Sequence, residues 1–374
     1  MKKITYAKTF AFLALSAAAL CFAGCNNTLA DEFQVQPSDW SEGVMKTSAY
    51  VMVGTGTSET LASDGLHLAY SENGLTWTVL NDNEKTFSST LGSRHIRDPY
   101  IFRMNDGTFV LLAADFTNDG QYTDWGAGES TDYGDNPSNR IYVAFSEDLV
   151  SWNYEHFLTV KSSAGTYGVR YPKAIYNKTN KCYDIYFAGD DGDGVQRIYY
   201  VQTCDFLTLK NSDEGILFSP AHSVSCPYLV KDSGNYYLFA YDARAPFETK
   251  IGRDIQLARS SNYLGEDFSF LATSASISGK AEDFYVNRVD GQTTMAYENE
   301  PCVYKLSDGT WVMLTNQVSS KGSYSAYVTD DIDDPESWEE SSSITKFSGT
   351  DMTVGTSVLE VTAEELEVLL SASW

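Results

Sequence analysis

Arg94-His-Ile-Arg-Asp-Pro-Tyr-Ile-Phe-Arg-Met-Asn-Asp-Gly-Thr-Phe-Val-Leu-Leu-Ala-Ala-Asp-Phe116 is the stretch from which the fold can be predicted. Its first apolar run opens at Asp98-Pro99, and its second runs back over residues 108–114. Between them lies Asn105-Asp106-Gly107, and an Asn/Asp-Gly step between two β-rich runs is a strong signal of a β-hairpin. The stretch therefore predicts two antiparallel strands with a carboxylate at the entrance of the first.

This hairpin phrase recurs along the chain, each time led by a proline. Its copies span residues 98–115, 171–189, 226–242 and 300–317. A second phrase, a strand followed by a short turn and often a tryptophan, is found at residues 66–77, 141–152, 198–209, 255–265 and 324–338. Two phrases that alternate in this way are typical of four-stranded blades set around an axis.

A fifth hairpin can be assembled from the two ends of the repeat region. Residues 357–361 would supply one strand and residues 49–54 the other, which would close a ring. Thr362 and Glu365 then form a capping box ahead of a short helix. We predict an all-β fold over residues 49–374, a five-bladed β-propeller closed by N- and C-terminal strands and followed by a C-terminal helix.

The first residues resemble an export signal. Lysines precede a short apolar run at residues 10–22, which ends in Phe22-Ala23-Gly24-Cys25, similar to a bacterial lipoprotein cleavage box. We predict a signal peptide over residues 1–24, a lipidated Cys25, and a polar tether over residues 25–48. The protein would then lie in the bacterial cell envelope, held to the membrane by its lipid anchor alone. An ordinary secretory signal is the alternative.

Charge and residue types exclude several functions. With 51 acidic and 26 basic residues the formal net charge is −25, the opposite of a nucleic-acid-binding footprint. The four histidines are widely spaced, and no glycine-rich phosphate loop is present. The sequence gives no support for a metal site or a Ser-His-Asp triad, and we expect no cofactor and a monomer. For Cys182, Cys204, Cys226 and Cys302, a Cys182–Cys204 bridge and four unpaired thiols both remain open.

Two loops have compositions that could serve a binding function. Residues 117–140 form a long stretch rich in Asp, Gly and aromatic residues, in which Trp125 could stack on a sugar face. Residues 190–194 read Asp-Asp-Gly-Asp-Gly, which is shorter than a calcium-binding loop needs, so a turn is predicted there.

Several motifs together resemble glycoside hydrolase family 43. They are residues 66–82, Arg97-Asp98-Pro99, residues 230–239 and residues 357–365. The resemblance covers about residues 49–374. It implies a five-bladed propeller that cleaves arabinose- or xylose-containing plant polysaccharides with inversion. One Asp would be the general base and a Glu would be the general acid. A second Asp would tune the pKa at the site and orient the catalytic groups.

Carried over residue by residue, the resemblance is uneven. Asp98 falls on the base, but the tuning Asp falls on Cys226, and the acid's Glu-Gly-Pro reads Asn299-Glu300-Pro301. Glu298 or Glu300 could take over as acid if a bulge turned it inward, since a one-residue slip reverses the faces of a strand. Residues expected to line the sugar site are Arg97, Trp125, Lys173, Cys226 and Asn299.

Three functions follow from these motifs. The first is an inverting glycosidase with Asp98 as base and Glu298 or Glu300 as a displaced acid. The second is a catalytically inactive propeller that binds plant-type oligo- or polysaccharides, because Asn299 has no transferable proton and a thiol at Cys226 does not replace a carboxylate. The third is a propeller for protein interactions without a sugar site.

Overall fold

A computed structural model describes residues 47–374, except for 57–64, 92–95, 117–136, 164, 166–167, 191, 212–213, 244–254, 265–267, 272–297, 318–323 and 342–351. The predicted signal peptide and Cys25 lie outside these residues, as does all of the predicted tether except residues 47 and 48. Within the described ranges, no helix is both long enough and apolar enough to cross a membrane.

The described strands form five antiparallel sheets of four strands each. Blade 5 contains β1 (Ala49–Gly56), β2 (His67–Ser71) and β3 (Thr78–Val79). Blade 1 contains β4 (Arg97–Arg103), β5 (Phe109–Phe116), β6 (Pro137–Ser146) and β7 (Trp152–Thr159). Blade 2 contains β8 (Arg170–Asn177), β9 (Cys182–Gly189), β10 (Arg197–Thr203) and β11 (Gly215–Phe218).

The remaining strands follow the same order. Blade 3 contains β12 (Val224–Asp232), β13 (Asn235–Asp242), β14 (Ile255–Ser260) and β15 (Ser269–Phe270). Blade 4 contains β16 (Glu298–Lys305), β17 (Trp311–Gln317), β18 (Tyr324–Thr329) and β19 (Glu339–Glu340). The last strand, β20 (Met352–Val361), completes blade 5, and the helix α1 (Ala363–Ser371) follows it.

The five inner strands surround one axis. They are β4, β8, β12, β16 and β20, and each contacts the next around the ring. The proline-led hairpins of the sequence are the two inner strands of blades 1 to 4. At the predicted turn of the first hairpin, Gly107 has a φ of +90°, which a residue with a side chain rarely adopts. The predicted five-bladed β-propeller is confirmed.

The ring is closed as the sequence predicts. β1 pairs with β20, with Tyr50 opposite Glu360 and Val53 opposite Ser357. The capping box is also confirmed, because the Thr362 hydroxyl accepts the Glu365 N–H and the Glu365 carboxylate accepts the Thr362 N–H at 2.8 Å. The guanidinium of Arg103, on β4, donates to that same Glu365 carboxylate at 2.9 Å. Blade 1 is thereby tied to the helix that follows blade 5.

The second sequence phrase forms the turn after the third strand of each blade. A Ser or Thr hydroxyl is followed two residues later by Asn or Asp, as in Ser71–Asn73, Ser146–Asp148, Thr203–Asp205, Ser260–Asn262 and Thr329–Asp331. In blade 5 the Asn73 side chain accepts the N–H groups of Leu75 and Thr76 at 2.9 and 2.8 Å. Such side chains satisfy turn amides that would otherwise lack partners. These turns lie at the end of the blades away from the start of the inner strands.

The cysteines that the structure describes are not bridged. Cys182, Cys226 and Cys302 are buried thiols, Cys204 is a partly exposed thiol, and none of the four forms a disulfide. Of the two arrangements that the sequence left open, the one without a bridge is found.

Candidate active site

Near the start of the inner strands of blades 1 to 4, one residue precedes a proline. These residues are Asp98, Tyr171, Cys226 and Glu300, with φ values of 49°, 54°, 48° and 53°. Positive φ is uncommon for residues with a side chain. The register of strand pairing shifts at the same place in all four blades. A β-bulge of this kind re-aims a side chain, and its repetition directs four side chains toward one region at the axis.

These four side chains share one electrostatic environment. Burial is the largest influence on the Tyr171 hydroxyl and raises its pKa, and the neighbouring Cys226, Glu300 and Asp98 raise it further. The thiol of Cys226 likewise responds to the charges of Glu300 and Asp98. Residues that are widely separated in sequence therefore meet at the axis, as the propeller fold predicts.

Asp98 is buried and ion-paired with Arg170 of the next blade. Its Oδ2 accepts the Arg170 Nε–H at 2.8 Å and the Tyr171 backbone N–H at 3.1 Å. Its Oδ1 accepts the Arg170 Nη2–H at 3.3 Å. Each carboxylate oxygen has two lone pairs, so Oδ2 is fully used and Oδ1 keeps one acceptor site. The pair holds the Asp98 carboxylate in a fixed orientation.

Glu300 is the second carboxyl group of this cluster. Burial raises its pKa to about 8, and the charge of Asp98 adds to the increase. The charges of Arg170 and Lys173 and the Tyr171 hydroxyl act in the opposite direction. A carboxyl group with this pKa is mainly protonated at neutral pH. It therefore carries a proton that it can donate, while its neighbour Asp98 is an ion-paired carboxylate.

Cys226 occupies the place where the resemblance puts the tuning Asp. Burial raises the pKa of its thiol to about 12, and the Glu300 charge contributes next. At neutral pH the group is a neutral thiol. Cys226 therefore adds no negative charge near Glu300, and the increase in the Glu300 pKa comes from burial and from Asp98.

A second ring of side chains lies two residues further along the inner strands. It consists of Tyr100, Lys173, Tyr228 and Cys302. The Lys173 ammonium lies 5.4 Å from the centre of the Tyr228 ring and 6.0 Å from that of Tyr100. Burial lowers the pKa of Lys173, and the nearby Cys226, Asp98, Cys302 and Glu300 oppose this decrease. This ring places a buried cation close to the two carboxyl groups.

The structure describes only some of the other residues that were predicted to line the site. Arg97 is partly buried at the start of β4, where it pairs with Ala114 in the ladder. Glu298 and Asn299 belong to β16, and their side chains lie outside the described part of the chain. Trp125 and residues 117–136 of its loop are also outside it. Cys226, Lys173 and Glu300 lie together with Asp98.

Sequence reasoning did not select Arg170 or Tyr171 as site residues. Their signal was present, because the second hairpin reads Arg-Tyr-Pro-Lys where the family resemblance calls for Trp-Ala-Pro followed by an acid. A cation that directly precedes the bulge of one blade is close to the bulge residue of the neighbouring blade. The repeat register therefore gave the means to pair Arg170 with Asp98.

Metal ligation has no support among the described residues. No group of three or more His, Cys, Asp or Glu side chains there is arranged to hold a metal ion. In the short acidic stretch at residues 190–194, the Asp190 carboxylate accepts the Gly192 N–H, as in a turn.

A family model described as a probable glycosyl hydrolase domain, related to glycoside hydrolase family 43, matches residues 46–367. No curated protein sequence matches the chain.

Solved structures resemble the propeller at low sequence identity. An endo-1,4-β-xylanase from Bacteroides thetaiotaomicron is 16% identical with a TM-score of 0.51, over 83% of this chain and 96% of that one. An endo-arabinase from the same organism is 17% identical with a TM-score of 0.49, over 70% of this chain and 83% of that one. The first similarity concerns the fold alone at this identity, and the second is too weak to add to it.

Proposed function

Since the chain belongs to the family of probable glycosyl hydrolase domains related to glycoside hydrolase family 43, we propose that it hydrolyses arabinose- or xylose-containing plant polysaccharides with inversion. Asp98 is the general base in this proposal and Glu300 the general acid. The observation that carries it is the presence of two carboxyl groups with different surroundings in one cluster at the axis. Asp98 is ion-paired with Arg170, and the pKa of Glu300 is raised to about 8.

Each carboxyl group suits a different half of the reaction. Inversion needs one carboxylate to activate water and one carboxylic acid to protonate the leaving oxygen on the opposite side of the sugar. Environments that push two carboxyl groups into different protonation states are how enzymes assign these roles. Asp98 Oδ1 retains an acceptor site for a water proton, and protonated Glu300 supplies the other proton. Arg170 and the Tyr171 N–H keep Asp98 oriented during the transfer.

Sugar release by the wild-type protein tests this proposal. We expect hydrolysis of arabinan, arabinoxylan or the corresponding aryl glycosides, and NMR of the first product should show inverted anomeric configuration. Retention would exclude the proposed assignment of base and acid. Absence of turnover on all these substrates would exclude the hydrolase.

A second candidate is a propeller that binds such glycans without cleaving them. It is favoured by the saturation of Asp98 Oδ2 with two donors and by the neutral thiol at Cys226. In that case oligosaccharides would raise the melting temperature of the wild-type protein without any release of sugar. Neither binding nor turnover would leave the interaction propeller as the remaining function.

Attachment to the cell envelope is a further part of the proposal, supported by Phe22-Ala23-Gly24-Cys25. We expect Cys25→Ala to move the protein from the membrane fraction to the soluble fraction. Globomycin, which blocks lipoprotein signal peptidase, should leave a precursor that retains residues 1–24. Cys21→Ala is the matched control, because that cysteine would leave with the signal peptide. Soluble wild-type protein, processed normally in the presence of the drug, would contradict the anchor.

A further inference from the structure

Lys173 is buried at the axis, and no described residue forms an ion pair with it. Its residue is 2% exposed. Within the part of the chain that the structure describes, its ammonium contacts the faces of Tyr228 and Tyr100, and no acceptor lies within hydrogen-bonding distance. Lysine is almost never fully buried unless it is paired. A second fully buried lysine among the described residues follows that rule, because Lys161 donates to Glu214 at 3.3 Å.

The two acidic groups beside Lys173 do not balance its charge. The Asp98 carboxylate is already paired with the Arg170 guanidinium at 2.8 Å. The Glu300 carboxyl group is mainly protonated at neutral pH. Among the residues that the structure describes, neither carboxyl group therefore forms an ion pair with the Lys173 ammonium, unlike Glu214 with Lys161.

Two neighbours of Lys173 at the axis have small side chains. In the second ring two positions are tyrosines, whereas Cys302 is small and buried. Among the four residues that precede the prolines, that of blade 3 is the equally small Cys226. Burial raises the pKa of each thiol to about 12, so neither is an anion at neutral pH. The Lys173 ammonium thus has two small neutral thiols among its neighbours, beside the rings of Tyr228 and Tyr100.

We propose that the site takes a sugar that carries a carboxylate, that is, a uronic acid residue, and that Lys173 binds this carboxylate. The proposal rests on the glycan site proposed above and specifies its substrate class. A bound carboxylate supplies the counter-charge that the buried ammonium lacks, and a charge-assisted hydrogen bond between the two is stronger than a neutral one. The expected substrates are the acidic decorations or backbones of plant glycans rather than their neutral pentoses alone.

Binding of small glycosides tests the proposal without the need for turnover. Methyl glucuronide and methyl galacturonide should bind the wild-type protein at least about 10-fold more tightly than methyl xyloside and methyl arabinofuranoside, by calorimetry. Lys173→Met should weaken binding of the acidic glycosides by about 10- to 100-fold and leave the neutral ones unchanged. Lys231→Met is the matched control, since it removes one positive charge from an exposed position of the inner strand β12.

The outcomes separate this proposal from the hydrolase itself. Equal binding of acidic and neutral glycosides by the wild-type protein, or equal losses in the two lysine variants, would overturn the uronate site and leave hydrolysis of neutral glycans untouched. Selective binding of the acidic glycosides without cleavage of any 4-nitrophenyl glycoside would support the uronate site and contradict the hydrolase. If Lys173→Met does not fold, the comparison of ligands on the wild-type protein still decides.

Discussion

Replacing Glu300 with glutamine is expected to lower kcat/KM for hydrolysis by about a hundred- to ten-thousand-fold, the usual contribution of a general acid. Glutamine has the size of the protonated acid but no proton to donate, so the site keeps its shape and loses only the acid function. Sugar release from aryl glycosides measures the effect. Substrates with good leaving groups need less protonation and should lose less activity.

The matched control is Glu298→Gln, two residues earlier on the same strand. It should retain activity, because only Glu300 precedes the proline at the bulge of blade 4. The opposite result, with Glu298→Gln inactive and Glu300→Gln active, would assign the acid to Glu298.

The pH dependence of the same variant provides a second readout. Glu300 holds its proton up to about pH 8 in the folded protein, whereas an ordinary glutamate ionises near pH 4.3. The folded protein therefore binds this proton more tightly than the unfolded chain does. As the pH rises between these two values, the free energy of unfolding falls by at most about 1.4 kcal/mol per pH unit. Urea unfolding of Glu300→Gln should lack this decline. Activity of the wild type should decrease as the pH rises through about 8.

Replacing Asp98 with asparagine is expected to abolish hydrolysis and also to destabilise the protein. The amide cannot accept a proton from water, and the change removes the carboxylate with which the buried Arg170 guanidinium is paired. Breaking a buried ion pair from one side typically costs about 3–5 kcal/mol. Urea unfolding and sugar release measure the two effects separately.

A double variant separates the catalytic loss from the structural one. Asp98→Asn combined with Arg170→Met removes both charges, and it should recover much of the lost stability while hydrolysis stays absent. Recovery of hydrolysis in the double variant would show that Asp98 acts only as the partner of Arg170. An unchanged unfolding free energy in the single variant would contradict the ion pair.

The architecture could be predicted from sequence because its signals are local. Prolines and turn residues recur with each blade, and the capping box of Thr362 and Glu365 fixes where β20 gives way to α1. The closing strand pair also follows from pattern, since residues left over at both ends had to complete the fifth blade.

The site was less predictable, because bulges break the alternation on which strand reasoning depends. Matching the acid's motif put Asn299 in the acid's position, and the choice between Glu298 and Glu300 remained open. In the structure, the β-bulge of blade 4 places Glu300 at the position that corresponds to Asp98 in blade 1. Regular alternation along the strand does not predict this. The Asp98–Arg170 ion pair joins two blades, so no single motif contained it.

Closure of the ring by β1 and β20 has a consequence for how the chain reaches its native state. β20 is synthesised after all four other blades, yet it supplies the inner strand of the blade that begins with β1. Contacts between such distant segments form slowly, because loop-closure entropy is lost before the pairing repays it. Until β20 arrives, β1 presents an open edge that favours aggregation. We therefore expect the docking of β20 onto β1 to be the slowest folding step.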